Sequence, residues 1–480
     1  MNIKRKIKIL TGCIVTAGLT IIFIRYSADL LRQPNRDDIY TFFEDQKEDY
    51  EVLFFGSSHV KYGISPMELW HDYGIVSYNM GIESQVLPTT YWQMENILEY
   101  STPKLVVIDC YYLSELHKIN ERAHNSLDIF PLSRTKINAV FDLLKNEETE
   151  LTHMEFLWDY SFYHNSWNEL EMSDFVQNNT SRKGAGYIVE IETGHEMTEI
   201  PGESKLEEDM IGVEYLKRMI EDCQNRGIDV LLTYLPFPAG ELPQKEANTV
   251  YDIAARYGVN YINFLDMDLL NYDTDCSDDN HINLSGCRKV TDYLGKYIME
   301  HYDVADQRGN DAYSIWHADY ADYHNKMILE IQRLESLDYR LLYLFDKDFL
   351  AFIEIYDPEI WDNDYYVNLF ENLGINRENI TKDTDFFVIQ NAGQQVDCLD
   401  SFKDFDKDII SEYGKIQIFS SENGTYGVYL DGNELYVVTP EQDSDTDIRI
   451  VIVDKNTKEV IDQSCFSKDN GALRLLYRKN

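Results

Sequence analysis

The sequence predicts an α/β fold, a parallel sheet flanked by helices, followed by a smaller C-terminal α+β domain and preceded by an N-terminal transmembrane anchor. Three observations predict it. Short apolar runs alternate with helical stretches between residues 51 and 302. Two of those stretches end at Gly227 and Gly258, each directly before a further apolar run. An uncharged, mostly apolar run at 9–24 follows a basic N-terminus. Helix, capping glycine and apolar strand in repeated order is the pattern of a parallel sheet whose crossovers pack as helices on its two faces.

Taken in order, the first element is the anchor. Lys4, Arg5, Lys6 and Lys8 precede the 9–24 run. With Ile7 included, and with Lys8 and Arg25 reaching to the interfaces, the run approaches the ~20 residues that a bilayer core requires. Basic residues hold this end inside, which places the bulk of the chain on the extracytoplasmic side of the cell membrane as a single-pass protein. A cleaved signal peptide is the alternative, although no small-x-small site stands after Ile24. Residues 1–35 are assigned to tail and anchor, and the polar stretch 26–48 reads as a stalk or entry helix.

The α/β domain is placed at 36–325. Its strands are expected at 51–55, 105–108, 229–235 and 260–264, the third stopped by Pro236 and Pro238. Helices are expected at 88–100, 213–226 and 246–257. The rhythm is lost at about 115–195, a stretch rich in Trp, Tyr, His and Asn that reads as an insertion covering one end of the sheet. The last domain is placed at 345–480, its boundary between 325 and 347. Helical signal runs over 311–345 and 365–373. Strand signal stands at 349–356, 386–390, 415–419, 425–430, 434–438 and 448–453, with a partner at 459–465 across the turn at Asn456.

Composition excludes several functions. With 43 Lys+Arg against 85 Asp+Glu the formal charge is -42. That charge repels a phosphate backbone, so no nucleic-acid partner is expected. Seven cysteines are too few for a disulfide scaffold, and no two-residue spacing marks a zinc knuckle or redox motif. Cys276 with Cys287, and Cys398 with Cys465, are open to oxidation outside the cytosol, or serve as small buried hydrophobes.

Two motifs carry chemistry. Gly56-Ser57-Ser58-His59 directly follows the first strand signal. A serine there stands where open α/β sheets bind ligands, and glycine permits the tight backbone that presents it; an ordinary Gly-Ser-Ser turn reads the same. Asp278-Asp279-Asn280-His281 precedes Ile282, Asn283 and Gly286. Asp and His three apart on a loop set the carboxylate against one imidazole nitrogen and leave the other facing outward, which orients a general base. Acidic turns containing His are also common without any such role.

Together, in this order, the motifs resemble the SGNH (GDSL-like) hydrolase family from about residue 50 to 300, with support from Tyr78-Asn79-Met80-Gly81 at the position of the family's second-block glycine. The resemblance implies a flavodoxin-like three-layer sandwich and a serine esterase or O-acyltransferase. It implies Ser58 as nucleophile, with Ser57 replacing the family's Asp, His281 as base and Asp278 as the orienting carboxylate. It also implies the backbone N–H groups of Ser58 and Gly81 as the oxyanion hole. The third block departs: where the family has Gly-x-Asn-Asp, this chain has Asp109-Cys110-Tyr111-Tyr112 after its second strand signal. An ionised carboxylate cannot donate a hydrogen bond, so Tyr111, Tyr112 or backbone groups alone are left to complete the hole. The extracytoplasmic DltD and AlgJ/AlgX groups, which act beside envelope acylation systems, diverge in these blocks too and are the nearest kin suggested. They imply an acylated glycan or teichoic-acid-like substrate and a membrane-bound O-acyltransferase as partner. An acyl-enzyme route needs no cofactor and no metal.

Further residues have two readings each. Ser57, His59, Asp109 and Tyr111 are candidate substrate contacts, His59 otherwise a satisfied polar side chain. His124, Trp158, His164 and Trp167 stack on sugar rings or form the small core of the insertion. Acid runs at 275–279 and 207–209 are solvated faces or calcium ligands. Residues 447–466 loosely resemble the strand pair of interleukin-like (ILEI-type) domains, which suggests a binding or docking module. The rival to the enzyme is a catalytically inactive SGNH-fold carbohydrate-binding or scaffold protein.

Overall fold

The computed structural model describes residues 3–32, 42, 49–114, 123–145, 152–158, 160–170, 172, 182–198, 200–207, 209–376, 384–400, 406–421, 425–439, 446–469 and 472–478. The chain forms two compact units. Met1–Gly186, Thr198–Asp266 and Gly295–Trp316 make the first, and Tyr187–Met197, Met267–Leu294 and His317–Asn480 make the second.

The first unit is built on a five-stranded parallel sheet of β1 (Val52–Phe55), β2 (Ser77–Asn79), β3 (Leu105–Asp109), β4 (Asp229–Tyr234) and β5 (Asn260–Asn263), in the order β2-β1-β3-β4-β5. The register sets Phe54 against Asn79, Phe55 against Ile108 and Asp109 against Thr233. β1 and β3 are buried at every residue, as continuous apolar runs in a sheet covered on both faces must be. Four of the strands follow the apolar runs of the sequence. β2 was not expected as a strand, because three residues of mixed polarity give no periodic signal.

The flanking helices obey their capping chemistry. The helix Pro66–Tyr73 starts with Ser65 accepting from Glu68 N–H, carries Pro66 in its first turn and stops at Gly74 with φ +70. The helix Glu241–Tyr257 stops at Gly258 with φ +66, as expected from sequence. In the helix Ile211–Asn225 the buried set Val213, Leu216, Met219, Ile220 and Cys223 follows helical spacing. It lies beside the helix Leu87–Ile97, tied to it by Tyr91 OH donating to Asp222 at 2.9 Å.

The N-terminal helix spans Ile3–Arg32, so that the start of the stretch expected as a stalk or entry helix is helical. Residues 33–41 and 43–48 of that stalk lie outside the described residues. The stretch Ile7–Ala28, 22 residues or about 33 Å at helical rise, is long and apolar enough to cross a membrane, a test that a signal sequence also passes.

The second unit contains two antiparallel sheets. β6 (Phe349–Ile355), β7 (Thr384–Asn391), β8 (Gln395–Asp400), β13 (Ile448–Asp454), β14 (Glu459–Asp469) and β15 (Ala472–Arg478) form a six-stranded sheet in the order β15-β14-β13-β6-β7-β8. β9 (Asp406–Ser411), β10 (Gly414–Ser420), β11 (Tyr426–Leu430) and β12 (Asn433–Val438) form a four-stranded one. They share one apolar core that includes Leu350, Phe352, Phe386, Val428, Tyr436, Val451 and Val453. Glu354 lies two residues beyond Phe352 on the same strand face and is wholly buried. Its register partner Arg449 donates to it at 3.0 Å and Tyr436 OH at 2.8 Å. None of the seven cysteines is in a disulfide, and Cys276, Cys287 and Cys465 are buried, in keeping with their reading as small hydrophobes.

Candidate functional site

In an open sheet whose strand order reverses, the crevice outside the carboxyl ends of the strands at the reversal is where ligands bind. Here that point lies between β1 and β3, and both sequence candidates of the first unit emerge from it: Gly56-Ser57-Ser58-His59 from β1 and Asp109-Cys110-Tyr111 from β3.

Gly56 is required sterically. A Cβ there would meet Val60 Cγ2 at 2.5 Å and Asp109 Cβ at 2.9 Å. The chain turns into the short helix Ser58–Gly63, capped by Ser57, whose Oγ accepts from His59 N–H at 3.3 Å. Ser57 is therefore a buried structural cap. Ser58, the first helical residue, is the one partly exposed position between Gly56 and Val60.

Gly81 lies against this turn so closely that a Cβ would stand 2.4 Å from Lys61 N and 2.9 Å from Ser57 O. Its N–H, expected as an oxyanion donor, donates to Asn79 Oδ1 at 2.9 Å. Asn79 was not singled out from sequence, yet it organises the loop. Its Nδ2 donates to Val60 O at 2.7 Å and Ile64 O at 2.8 Å, so one wholly buried amide binds the end of β2 to the serine-bearing helix. The available signal was an Asn at a strand end two residues before a glycine.

His59 is buried. Its ring stacks on Tyr111 at 4.1 Å between centroids and lies 4.6 Å from Phe237. Tyr111 is half-exposed and also meets Tyr112 at 4.1 Å. Tyr112 holds a left-handed φ of 66, a conformation that costs a non-glycine residue energy and gathers at functional sites.

Asp109 is 1% exposed and accepts from Leu235 N–H at 2.9 Å, while its Oδ2 is buried without a hydrogen-bond partner. Burial pushes its carboxyl up to about 7, against the backbone hydrogen bonds from Leu235 and Tyr111. The neutral, donating form of Asp109 is thus populated near neutral pH. Glu246, another buried carboxyl, accepts from Ser114 N–H and Tyr234 OH at 2.9 and 2.8 Å, and burial raises it too.

The second unit holds the Asp-His pair. Asp278 Oδ1 accepts the N–H groups of Asn280 and His281 at 2.7 and 2.9 Å, and its two oxygens stand 3.0 and 2.9 Å from His281 Nδ1. Burial works to raise the Asp278 carboxyl, but the bonds from His281 and Asn280 prevail and hold it below its ordinary value. A carboxylate on Nδ1 assigns the neutral ring's proton to that nitrogen and leaves the lone pair on Nε2, the tautomer of a general base.

The loop under the pair is fixed from both sides. Cys276 bridges to Ile282, and Ser277 N–H donates to His281 O at 2.9 Å. Asn283, wholly buried, donates from Nδ2 to Thr274 O at 2.8 Å and accepts Ser285 N–H at 3.1 Å to start the helix Leu284–His301. Gly286 admits no Cβ, which would lie 2.7 Å from Asp275 O.

Ser57, Ser58 and Gly81 thus come together in the first unit, as do His59 and Tyr111; Asp278 and His281 come together in the second. The aromatic cluster of the insertion divides. His124 is buried between Phe156 and Phe162 at 4.0 and 3.7 Å with Asp128 on its Nδ1 at 2.7 Å, a core histidine, whereas Trp158 and Trp167 are exposed.

No family model matches the chain, and no curated protein matches it. Among solved structures, an acylhydrolase candidate from Bacteroides fragilis NCTC 9343 is similar at 13% identity and a TM-score of 0.30, over 54% of this chain and 94% of that one.

Proposed function

We propose that the chain is a membrane-anchored, extracytoplasmic SGNH-type serine O-acyl esterase or O-acyltransferase acting on cell-surface or exported polysaccharide. The observation that carries this reading is Ser58, partly exposed at the carboxyl end of β1 beside the strand-order reversal. The Asp278-His281 pair supports it with a base already in the required tautomer.

In this mechanism His281 Nε2 takes the proton of Ser58 as Oγ bonds to the ester carbonyl carbon. The backbone N–H of Ser58 faces the oxyanion. The Gly81 N–H joins it by turning from Asn79, and a protonated Asp109 stands in for the absent third-block Asn. Collapse breaks the bond to the sugar oxygen, which leaves with the proton from His281. Water or a second sugar hydroxyl, deprotonated by His281, then attacks the acyl-Ser58 and frees the serine. Asp278 stabilises each imidazolium.

The second reading, a catalytically inactive scaffold or carbohydrate-binding protein of an envelope acylation system, is favoured by one observation: the Gly81 N–H is already satisfied by Asn79. A fluorophosphonate separates them. The enzyme is labelled at Ser58 and loses both labelling and release of acetate from acetylated glycan in Ser58→Ala and His281→Ala. Absence of label in the folded wild type establishes the scaffold.

A further inference from the structure

A buried group in the second unit has no part in that mechanism. His324, on the helix Ser314–Ile331, is 7% exposed; its Nδ1 has no hydrogen-bond partner, and its Nε2 faces Asp454. Asp346 and Asp348 stand in the turn before β6, and Asp454 ends β13, whose register sets it opposite Phe349. One ligand atom from each of His324, Asp346 and Asp348 lies within 4.8 Å of the others.

The distances discriminate. An imidazolium bonded to a carboxylate would place nitrogen and oxygen at about 2.7–2.9 Å. Here Nδ1 is 3.9 Å from Asp348 Oδ2. Donors held by one cation at about 2.1 Å stand roughly 3 to 4 Å apart, which accommodates this spacing. Nε2, 3.4 Å from Asp454 Oδ1, occupies the other half of a familiar arrangement: a histidine that ligates through one nitrogen directs the second toward a carboxylate.

Charge points the same way. Asp346, Asp348 and Asp454 face two cations, Arg288, which donates to Asp346 Oδ2 at 3.0 Å, and Lys455, which donates to the carbonyls of Lys347 and Gln390. Three carboxylates gathered beside one buried imidazole set up a field that favours positive charge there. Asp348 is held in position by Tyr320 OH at 2.8 Å, and Asp346 Oδ1 by Asp348 N–H at 2.8 Å.

We propose that His324 Nδ1, Asp346 and Asp348 bind a divalent transition cation of the Zn²⁺ or Mn²⁺ class, with Asp454 orienting the imidazole. One nitrogen and carboxylate oxygens suit these ions better than Ca²⁺ or Mg²⁺, which take oxygen alone. The cation is structural: it joins the helix to the start of β6 and stabilises the folded unit by mass action.

The test uses the full chain in detergent, stripped with a chelator and titrated with Zn²⁺ and Mn²⁺. Wild type is expected to bind one equivalent more than His324→Ala or Asp346→Asn, with a Tm rise of several degrees that both variants lack, and His281→Ala is expected to retain that equivalent. X-ray absorption of the wild-type zinc form, which needs no variant, is expected to show a first shell of one imidazole nitrogen and oxygens. Failure of wild type to bind either ion, equal stoichiometry in wild type and His324→Ala, or a shell without nitrogen overturns the proposal.

Discussion

Asp278 faces His281 Nδ1 with both carboxylate oxygens, at 3.0 and 2.9 Å, and is itself pinned by two backbone N–H groups of the same turn. Four residues of chain thus contain an oriented base and the group that orients it. Asp278→Asn keeps the shape but offers Nδ1 an amide in place of a carboxylate. Hydrolysis of a chromogenic ester is expected to fall about 10²- to 10⁴-fold with unchanged circular dichroism. A loss of less than tenfold in kcat denies the pair its role.

Gly81 is a sharper steric case than Gly56, since the atoms its Cβ would meet are backbone. Gly81→Ala must displace the Ser57–Lys61 turn, at a cost of about 1–3 kcal/mol read from urea denaturation, with Ser58 labelling lost in parallel. Unaltered stability and labelling would show that the turn yields freely.

Asp109 gives a pH dependence whose sign follows from its raised carboxyl. Between the ordinary Asp value and about 7 the folded state holds a proton that the unfolded state has released. Stability from this group is therefore present at low pH and declines as pH rises through that window. Asp109→Asn removes the decline, so the Tm of the variant relative to wild type is expected to rise from pH 5 to pH 8. Parallel Tm curves would place the proton elsewhere.

The Glu354–Arg449 pair is buried in the sandwich core, with side chains 0% and 1% exposed. Arg449→Met strands the carboxylate among Tyr426, Tyr436 and apolar side chains, and the expected cost is about 3–5 kcal/mol. Adding Glu354→Leu should recover a substantial part of it. A double variant no more stable than the single one in guanidinium would mean that the tyrosines alone satisfy Glu354.

The N-terminal helix allows a direct fractionation test. The protein is expected to resist alkaline extraction from membranes, and to become extractable once residues 1–32 are deleted. A mature N-terminus lying beyond residue 24 would identify a cleaved signal peptide instead.

Local pattern was sufficient wherever an element is decided by its own residues. The apolar runs of β1, β3, β4 and β5, the glycines at 227 and 258, the N-terminal apolar helix and the Asp278-His281 turn are all legible, because burial on both faces, left-handed caps, bilayer length and a three-residue loop are short-range constraints. β2, β8, β9 and β15 were not, since a strand of mixed polarity is defined by the neighbour it pairs with. The same holds for roles. Asn79 matters through carbonyls at positions 60 and 64, Asp109 through burial beside Leu235, and the His324 cluster through residues at 346, 348 and 454. Those relations follow from chain segments far apart in sequence packing together, where exclusion of water and shared hydrogen bonds give ordinary residues their chemistry; composition and spacing do not encode them.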